Sequence, residues 1–215
     1  MTEQDFARLF TALLSDALDA NGETGQALPP AIRPLDEALV MWGRARTAAY
    51  REVAHVPDGH NPYALEIELV DDLKPGEVAV MACGGSDRIA PWGGLLSTAA
   101  RARGAAGCLT DGYVRDIKQI RGLGFPVCHG GIAPLDCRGR GEVAAIDVPV
   151  RRGGVRVEPG DLVFGDADGV VVIPRRIEAA VLRTAFAKLA AEDDTAAALA
   201  RGEKLAEVFR RHGVL

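Results

Sequence analysis

The sequence predicts an α/β fold, and three observations carry the prediction. The middle third alternates strand, helix, strand, helix, strand, with glycine or Asp-Gly at the junctions. That alternation is the signature of a parallel sheet with crossover helices. The last third holds short β-rich runs between Gly-Gly, Pro-Gly and Asp-Gly turns, the pattern of a further β layer. A helical stretch over 175–200 follows them.

The elements read as follows. Phe6, Phe10, Leu13, Leu14 and Leu18 share one face of a 3.6 period, so residues 2–20 are expected to form an amphipathic helix. Asn21-Gly22 is its stop. Three prolines make 25–36 a loop. Ala38–Met41 and Ala45–Tyr50 are expected as short strands with a bend at Gly43. Residues 54–63, AHVPDGHNPY, form a polar loop, and Leu65–Val70 fits a helix or a strand equally. Glu77–Met81 is a strand, and 93–103 a helix closed by Gly104. Ala106–Thr110 is the next strand, 114–121 a helix, and Pro126–His129 a strand. The β-rich runs are Val143–Val150, Val155–Val157, Leu162–Phe164 and Val170–Ile173, and a short last helix covers 203–211.

Composition narrows the function. The 215 residues are 48 % hydrophobic and 26 % charged, ordinary globular values that argue against disorder or a fibrous chain. Lys and Arg number 25 against 30 Asp and Glu, a formal net charge of −5. A mildly acidic chain lacks the surplus cations that phosphate-backbone binding requires, so no nucleic-acid partner is expected. No apolar run approaches the roughly 20 residues of a membrane span, and the first residues lack a basic region followed by an apolar core. A cytoplasmic protein without membrane contact is therefore expected. Cys83, Cys108, Cys128 and Cys137 form no CxxC pair, which speaks for buried reduced thiols and against a structural zinc site.

In open parallel sheets ligands bind beyond the carboxyl ends of the strands. Two such ends carry useful groups: Gly84-Gly85-Ser86-Asp87 leading into Gly93-Gly94-Leu95-Leu96, and Asp111 to Asp116. The helix beginning near Gly94 has first-turn N–H groups without intrahelical partners, a setting for a carboxylate or phosphate. Arg115 can grip a carboxylate bidentately. Asp116 is a hard oxygen donor suited to Mg²⁺ or Mn²⁺. Each feature also has a plain structural reading, as strand–helix packing, a surface ion pair or a helix cap. His55 and His60 read as parts of a solvated loop, Asp166 and Asp168 as turn residues, and Ser97 has no His or Asp at nucleophile spacing.

The string WGGLLSTAARARGAAGCLTDGYVRD, Trp92 to Asp116, resembles the RraA-like family, which takes its name from the regulator of ribonuclease E activity A. The shared pattern is G-x-L-L-x-x-A-x-x-x-x-G-x-x-G-x-x-x-x-G-x-x-R-D, filled from Gly93 to Asp116; 157–174 and 202–215 continue the similarity. The resemblance implies a swivelling β/β/α domain spanning 1–215, with a parallel core, a second β layer and a helical tail over about 175–215 packed on a neighbouring subunit. It implies homotrimers or hexamers. It also implies class II aldolase chemistry: pyruvate release from a 4-hydroxy-2-oxo acid such as 4-hydroxy-4-methyl-2-oxoglutarate, and decarboxylation of oxaloacetate, with Mg²⁺ or Mn²⁺. By the same resemblance, Gly93, Gly94 and the amides of Leu95 and Leu96 bind the 2-oxo acid together with Arg115. Asp116 ligates the metal, and Glu192, more than Asp193, contacts a metal water from the neighbouring subunit's site. Many members carry Glu or Asp just before the Leu-Leu pair, where this chain has Gly94. Asp87 and Asp111 are the two candidates to replace it, although Asp111 also reads as a turn residue before Gly112. The family's other activity, binding and regulating a ribonuclease without catalysis, is the alternative.

Overall fold

The computed structural model describes residues 3–214. In chain order its elements are α1 (Glu3–Phe6), α2 (Thr11–Ala20), β1 (Arg33–Pro34), β2 (Met41–Glu52), α3 (Ala64–Asp71), β3 (Glu77–Ala82), α4 (Gly94–Ala102), β4 (Gly107–Thr110) and β5 (Tyr113–Val114). They continue with α5 (Ile117–Leu123), β6 (Val127–His129), β7 (Gly131–Ile132), β8 (Gly141–Ile146), β9 (Val150–Arg152) and β10 (Val155–Val157). The last are β11 (Leu162–Asp166), β12 (Gly169–Ile173), α6 (Glu178–Ala200) and α7 (Leu205–His212). The chain divides into two compact units, one of Gly25–Arg175 and one of the segments up to Thr24 and from Arg176.

The larger unit is built on an eight-stranded sheet in the order β1-β6-β4-β3-β2-β11-β12, with β8 also paired to β2. Strands β2, β3, β4 and β6 run parallel, as the strand–helix alternation predicts. The central strand β3 explains why its sequence is a continuous apolar run. Ala79 and Met81 point into one core with Leu69, Val70, Ala100, Trp92 and Ile120, while Val78 and Val80 point into a second with Leu109, Val150, Val163 and Val172. A parallel strand covered on both faces needs no polar alternation. The β11–β12 hairpin continues the main sheet from β2, and the β9–β10 ribbon supplies the second β layer through Val150, Val155 and Val157.

Several sequence expectations change here. Strand β2 is one unbroken strand of 12 residues, not two with a bend. Gly43 is needed because a Cβ there would stand 2.3 Å from the Gly76 carbonyl oxygen, so the neighbouring backbone, not a turn, excludes a side chain. The irregularity in β2 lies instead between Ala49 and Tyr50, opposite β8. The proline-containing loop carries Arg33–Pro34 as an edge strand against β6, and Ala27 just before it pairs with Val171 of β12. One segment thus bonds both edges, and the sheet is nearly closed. Leu65–Val70 is helical, within α3.

In the smaller unit, α2 packs on α6 and α6 on α7. The first helix is interrupted: Phe10 is extended, with φ −146° and ψ 159°, so Thr11 begins a separate helix. Residue 2 of the expected helix lies outside the described residues. Asn21 ends α2 as expected and donates its side-chain amide to Thr184 Oγ1 at 3.1 Å. Among the described residues no helix is long and apolar enough to cross a membrane. All four cysteines are buried and unpaired.

Candidate active site

The carboxyl ends of β2, β3 and β4 lead into the loops that build the site. After β3 the chain reaches Trp92, which is 1 % exposed, stacks on Phe125 with 6.3 Å between ring centroids, and donates its indole N–H to Ser97 Oγ at 2.8 Å. Ser97 in turn donates to the Gly93 carbonyl oxygen at 3.0 Å. This serine is a structural brace for the start of α4. Trp92 also pairs with Val114, and its carbonyl oxygen accepts the Arg115 N–H at 3.1 Å. The start of α4 and the Arg115-Asp116 pair are thereby fixed beside each other.

Asp116 adopts a left-handed backbone, φ 59° and ψ 37°. That conformation is uncommon outside glycine, Asn and Asp, and often marks functional positions. It turns the carboxylate back onto α4, where Oδ2 accepts the Gly94 N–H at 3.0 Å. Gly93 permits this approach, since a Cβ at 93 would lie 2.7 Å from that oxygen. Among the described residues nothing bonds Asp116 Oδ1. The amides of Leu95 and Leu96 follow in the first turn, where an α-helix supplies no acceptor.

Arg115, Asp116, Gly93, Leu95 and Leu96 all line one cleft of about 160 Å³. That is below the roughly 300–1,000 Å³ of drug-sized sites and suits a small organic acid. Arg115 is aimed by its own bonds: Nη1 donates to the Leu135 carbonyl oxygen at 3.1 Å, with Asp136 Oδ1 at 3.9 Å and Asp116 Oδ2 at 3.8 Å from the guanidinium. Gly94 is not part of the lining. Its amide is engaged by Asp116, and its Cβ position points at Gln119, whose Oε1 would be 2.1 Å away.

Other expected residues lie elsewhere. Asp111 is buried and anchors the loop after β3, accepting the Cys83 N–H at 2.5 Å and the Gly85 N–H at 2.9 Å, with Arg152 at 3.8 Å. Arg152 is therefore a partner of that loop. Asp87 is exposed and does not line the cleft. Glu192 lies on α6 in the smaller unit, 3.7 Å from Lys188 Nζ, and Asp193 pairs with Arg8 at 2.7 Å. His60 Nε2 pairs with Glu142 at 2.7 Å in a separate open groove that also includes His55. Asp166 accepts the Asp168 N–H at the β11–β12 turn, as a turn residue does. Among the described residues no lysine lines the cleft.

Sequence reasoning missed Tyr63, Glu66, Asp136 and Cys137, which complete the lining. Burial raises the Asp136 carboxyl, but the Tyr63 hydroxyl at 2.9 Å, the Arg138 N–H and the Arg115 guanidinium outweigh it and hold the group below the ordinary value. Glu66 is 8 % exposed and accepts the Tyr50 hydroxyl at 2.5 Å. Burial pushes its carboxyl up to about 7, with Tyr50 pulling down, Asp136 pushing up and Arg115 pulling down. A sequence signal for Glu66 existed: it lies three and four residues before the buried Leu69 and Val70, on the apolar stripe of α3.

This carboxyl makes a stability prediction. The folded chain keeps its proton up to about pH 7, while an unfolded glutamate of ordinary value 4.5 releases it sooner. The native state thus binds more protons across that window. The Glu66 contribution is full below pH 4.5 and is lost as pH rises through 7, by about 3 kcal/mol. Urea unfolding midpoints at pH 5 and pH 8 are expected to show that fall, and Glu66→Gln to remove most of it.

A divalent cation fits the donors present. Asp116 offers a hard oxygen at the cleft. Among the described residues no group of three or more His, Cys, Asp or Glu side chains could hold a metal unaided. Magnesium characteristically takes one or two carboxylates and completes its shell with water and substrate.

The chain is similar to known proteins in sequence and in fold. The RraA-like family, described as Aldolase/RraA, matches residues 11–172. A protein of Halalkalibacterium halodurans with a provisional name as a 4-hydroxy-4-methyl-2-oxoglutarate aldolase is 36 % identical over 188 residues, 87 % of this chain and 83 % of the relative. The 4-hydroxy-4-methyl-2-oxoglutarate aldolase of Thermus thermophilus is 32 % identical over 152 residues, 70 % of this chain and 85 % of that one. Among solved structures, Streptomyces coelicolor RraAS2, described as an unusual member of the RNase ES inhibitor RraA family, superposes with a TM-score of 0.78 at 27 % identity, covering 89 % of this chain and 93 % of its own.

Proposed function

The chain belongs to the RraA-like family, and from that premise we propose that it is a divalent-metal-dependent lyase that releases pyruvate. Its substrates would be 4-hydroxy-2-oxo acids, cleaved by retro-aldol reaction, and oxaloacetate, by decarboxylation. One observation carries the reading: a cleft of metabolite size is lined by an aimed guanidinium, an aspartate with a free oxygen, and the first turn of a helix. Names of relatives at 32 % and 36 % identity support it.

In this reading the Arg115 guanidinium binds the substrate carboxylate bidentately, and the Leu95 and Leu96 amides donate to the same group. Asp116 would hold Mg²⁺ or Mn²⁺. When bound, the cation supplies several kcal/mol of stabilisation to negative charge developing on the 2-oxo oxygen. Arg115 orients the acid and favours the anionic transition state. Glu192 of a neighbouring copy completing the site, and assembly as a trimer or hexamer, belong to the same proposal.

The test is lactate-dehydrogenase-coupled pyruvate release from a series of 4-hydroxy-2-oxo acids and from oxaloacetate. Release that requires Mg²⁺ or Mn²⁺ and stops with EDTA is the expected result. No release from any of them would overturn the reading. A second reading, a non-catalytic ribonuclease regulator, draws on the likeness to RraAS2 and on the acidic balance of the chain. It calls for capture of a ribonuclease that is indifferent to Asp116→Ala.

A further inference from the structure

A retro-aldol cleavage moves one proton. It leaves a hydroxyl on one fragment and must arrive at a carbon of the other. The cleft contains several groups that could carry it, and geometry separates them. Asp136 is bonded by Tyr63 and faces Arg115, an environment that keeps it ionised. The Tyr63 hydroxyl is committed to Asp136 and is pushed up to about 12, first by burial. The Cys137 thiol donates to the Ala90 carbonyl oxygen at 3.2 Å and is likewise pushed up to about 12 by burial. Asp116 is tied to the Gly94 amide through one oxygen, and in the proposed function its other oxygen holds the cation.

Glu66 differs from all of these. It stands on α3, away from the Arg115-Asp116 segment in sequence, yet lines the same cleft. Its Oε2 is anchored by the Tyr50 hydroxyl from β2. Its Oε1 makes no hydrogen bond of its own among the described residues, and the residue lines the cleft. One oxygen is thus fixed and the other is uncommitted. We propose that Glu66 is the proton carrier of the site, with Tyr50 as its positioning residue. This rests on the reading that the cleft releases pyruvate.

The step balances within the substrate and one side chain. The Glu66 carboxylate takes the proton of the C4 hydroxyl. The C3–C4 bond breaks, its electron pair passes to the enolate of pyruvate, and the C4 oxygen becomes a carbonyl. Glu66, now a carboxylic acid, delivers the proton to C3 and is a carboxylate again. In decarboxylation only the second half operates, and Glu66 is reprotonated from water. Proton transfer of this kind is most efficient when the carrier titrates near the working pH, and burial places Glu66 there. The ionisable groups acting on it or sensing it are Tyr50, Asp136, Arg115, Cys137 and Cys83.

The same step run backward exchanges the methyl protons of pyruvate, which gives a test that needs no aldol substrate. Wild type, Glu66→Gln and Tyr50→Phe would be incubated with pyruvate and Mg²⁺ in D₂O. Deuterium entry at C3 is followed by proton NMR, and pyruvate binding by calorimetry. Glu66→Gln is expected to bind pyruvate as wild type does and to exchange about 100-fold more slowly or less. Tyr50→Phe removes the hydroxyl that favours the carboxylate, so its exchange is expected to rise with pH along a limb displaced upward. Wild-type exchange in Glu66→Gln overturns the proposal and leaves the reading of the cleft intact. So does a wild type that binds pyruvate without exchanging it. A wild type that neither binds pyruvate nor releases it overturns the reading and the proposal together. If circular dichroism shows Glu66→Gln unfolded, an undisplaced limb in Tyr50→Phe overturns the proposal.

Discussion

Arg115→Ala is expected to lower kcat/KM for pyruvate release by about 10²- to 10³-fold, the usual cost of removing one preorganised charged donor from a developing anion. The coupled assay measures it directly. Among the described residues Arg115 is the only cation lining the cleft, so no neighbour there can replace it. It is also held in place before any ligand arrives, by the Leu135 carbonyl oxygen and by the flanking carboxylates of Asp136 and Asp116. Arg115→Lys is expected to recover little, because an ammonium on a flexible stem has neither the planar fork nor this set of anchors. The side chain is 39 % exposed, so the alanine variant should remain folded and unfold at close to the wild-type urea concentration. A loss of activity together with a loss of fold would speak against a role in binding.

Asp116→Asn is the second substitution with a large expected effect. Asparagine tolerates the left-handed backbone that Asp116 occupies, and its amide oxygen can still accept the Gly94 N–H. The variant therefore isolates the charge from the architecture. Titration with Mn²⁺, read by the electron paramagnetic resonance signal of the free ion, is expected to show binding to the wild type and none to Asp116→Asn. Pyruvate release should fall to the level seen with EDTA. Mn²⁺ binding equal to that of wild type would remove Asp116 as the metal ligand.

How much of this was legible in the sequence depends on how far apart the contributing residues lie. The Arg115-Asp116 pair and the start of α4 are 22 residues or fewer apart, and the glycine spacing between them marks the strand–helix–strand unit that brings them together. The parallel core was legible for the same reason, since each crossover is local. Tyr50, Glu66 and Asp136 come from three separate segments and meet only once β2, α3 and the loop after β7 have packed. Periodicity could not decide between helix and strand for Leu65–Val70, and only the helical choice puts Glu66 on the same face as Leu69 and Val70. Gly43 was misread because a glycine required by a neighbouring carbonyl oxygen looks, in sequence, like a glycine required by a bend. Phe10 fits the helical stripe by spacing, yet its extended backbone separates α1 from α2.

The packing of Gln119 against Gly94 makes these two positions epistatic. A carboxylate introduced at 94 would require the exposed Gln119 carboxamide to rotate away, so its effect depends on which residue stands at 119. A shorter residue at 119 would be permissive, opening room for the acid without itself adding a charge. Because that carboxamide is the exposed tip of a flexible side chain, it can swing aside, so neither change has to come first and the residue at 119 tunes the effect of an acid at 94 without forbidding it.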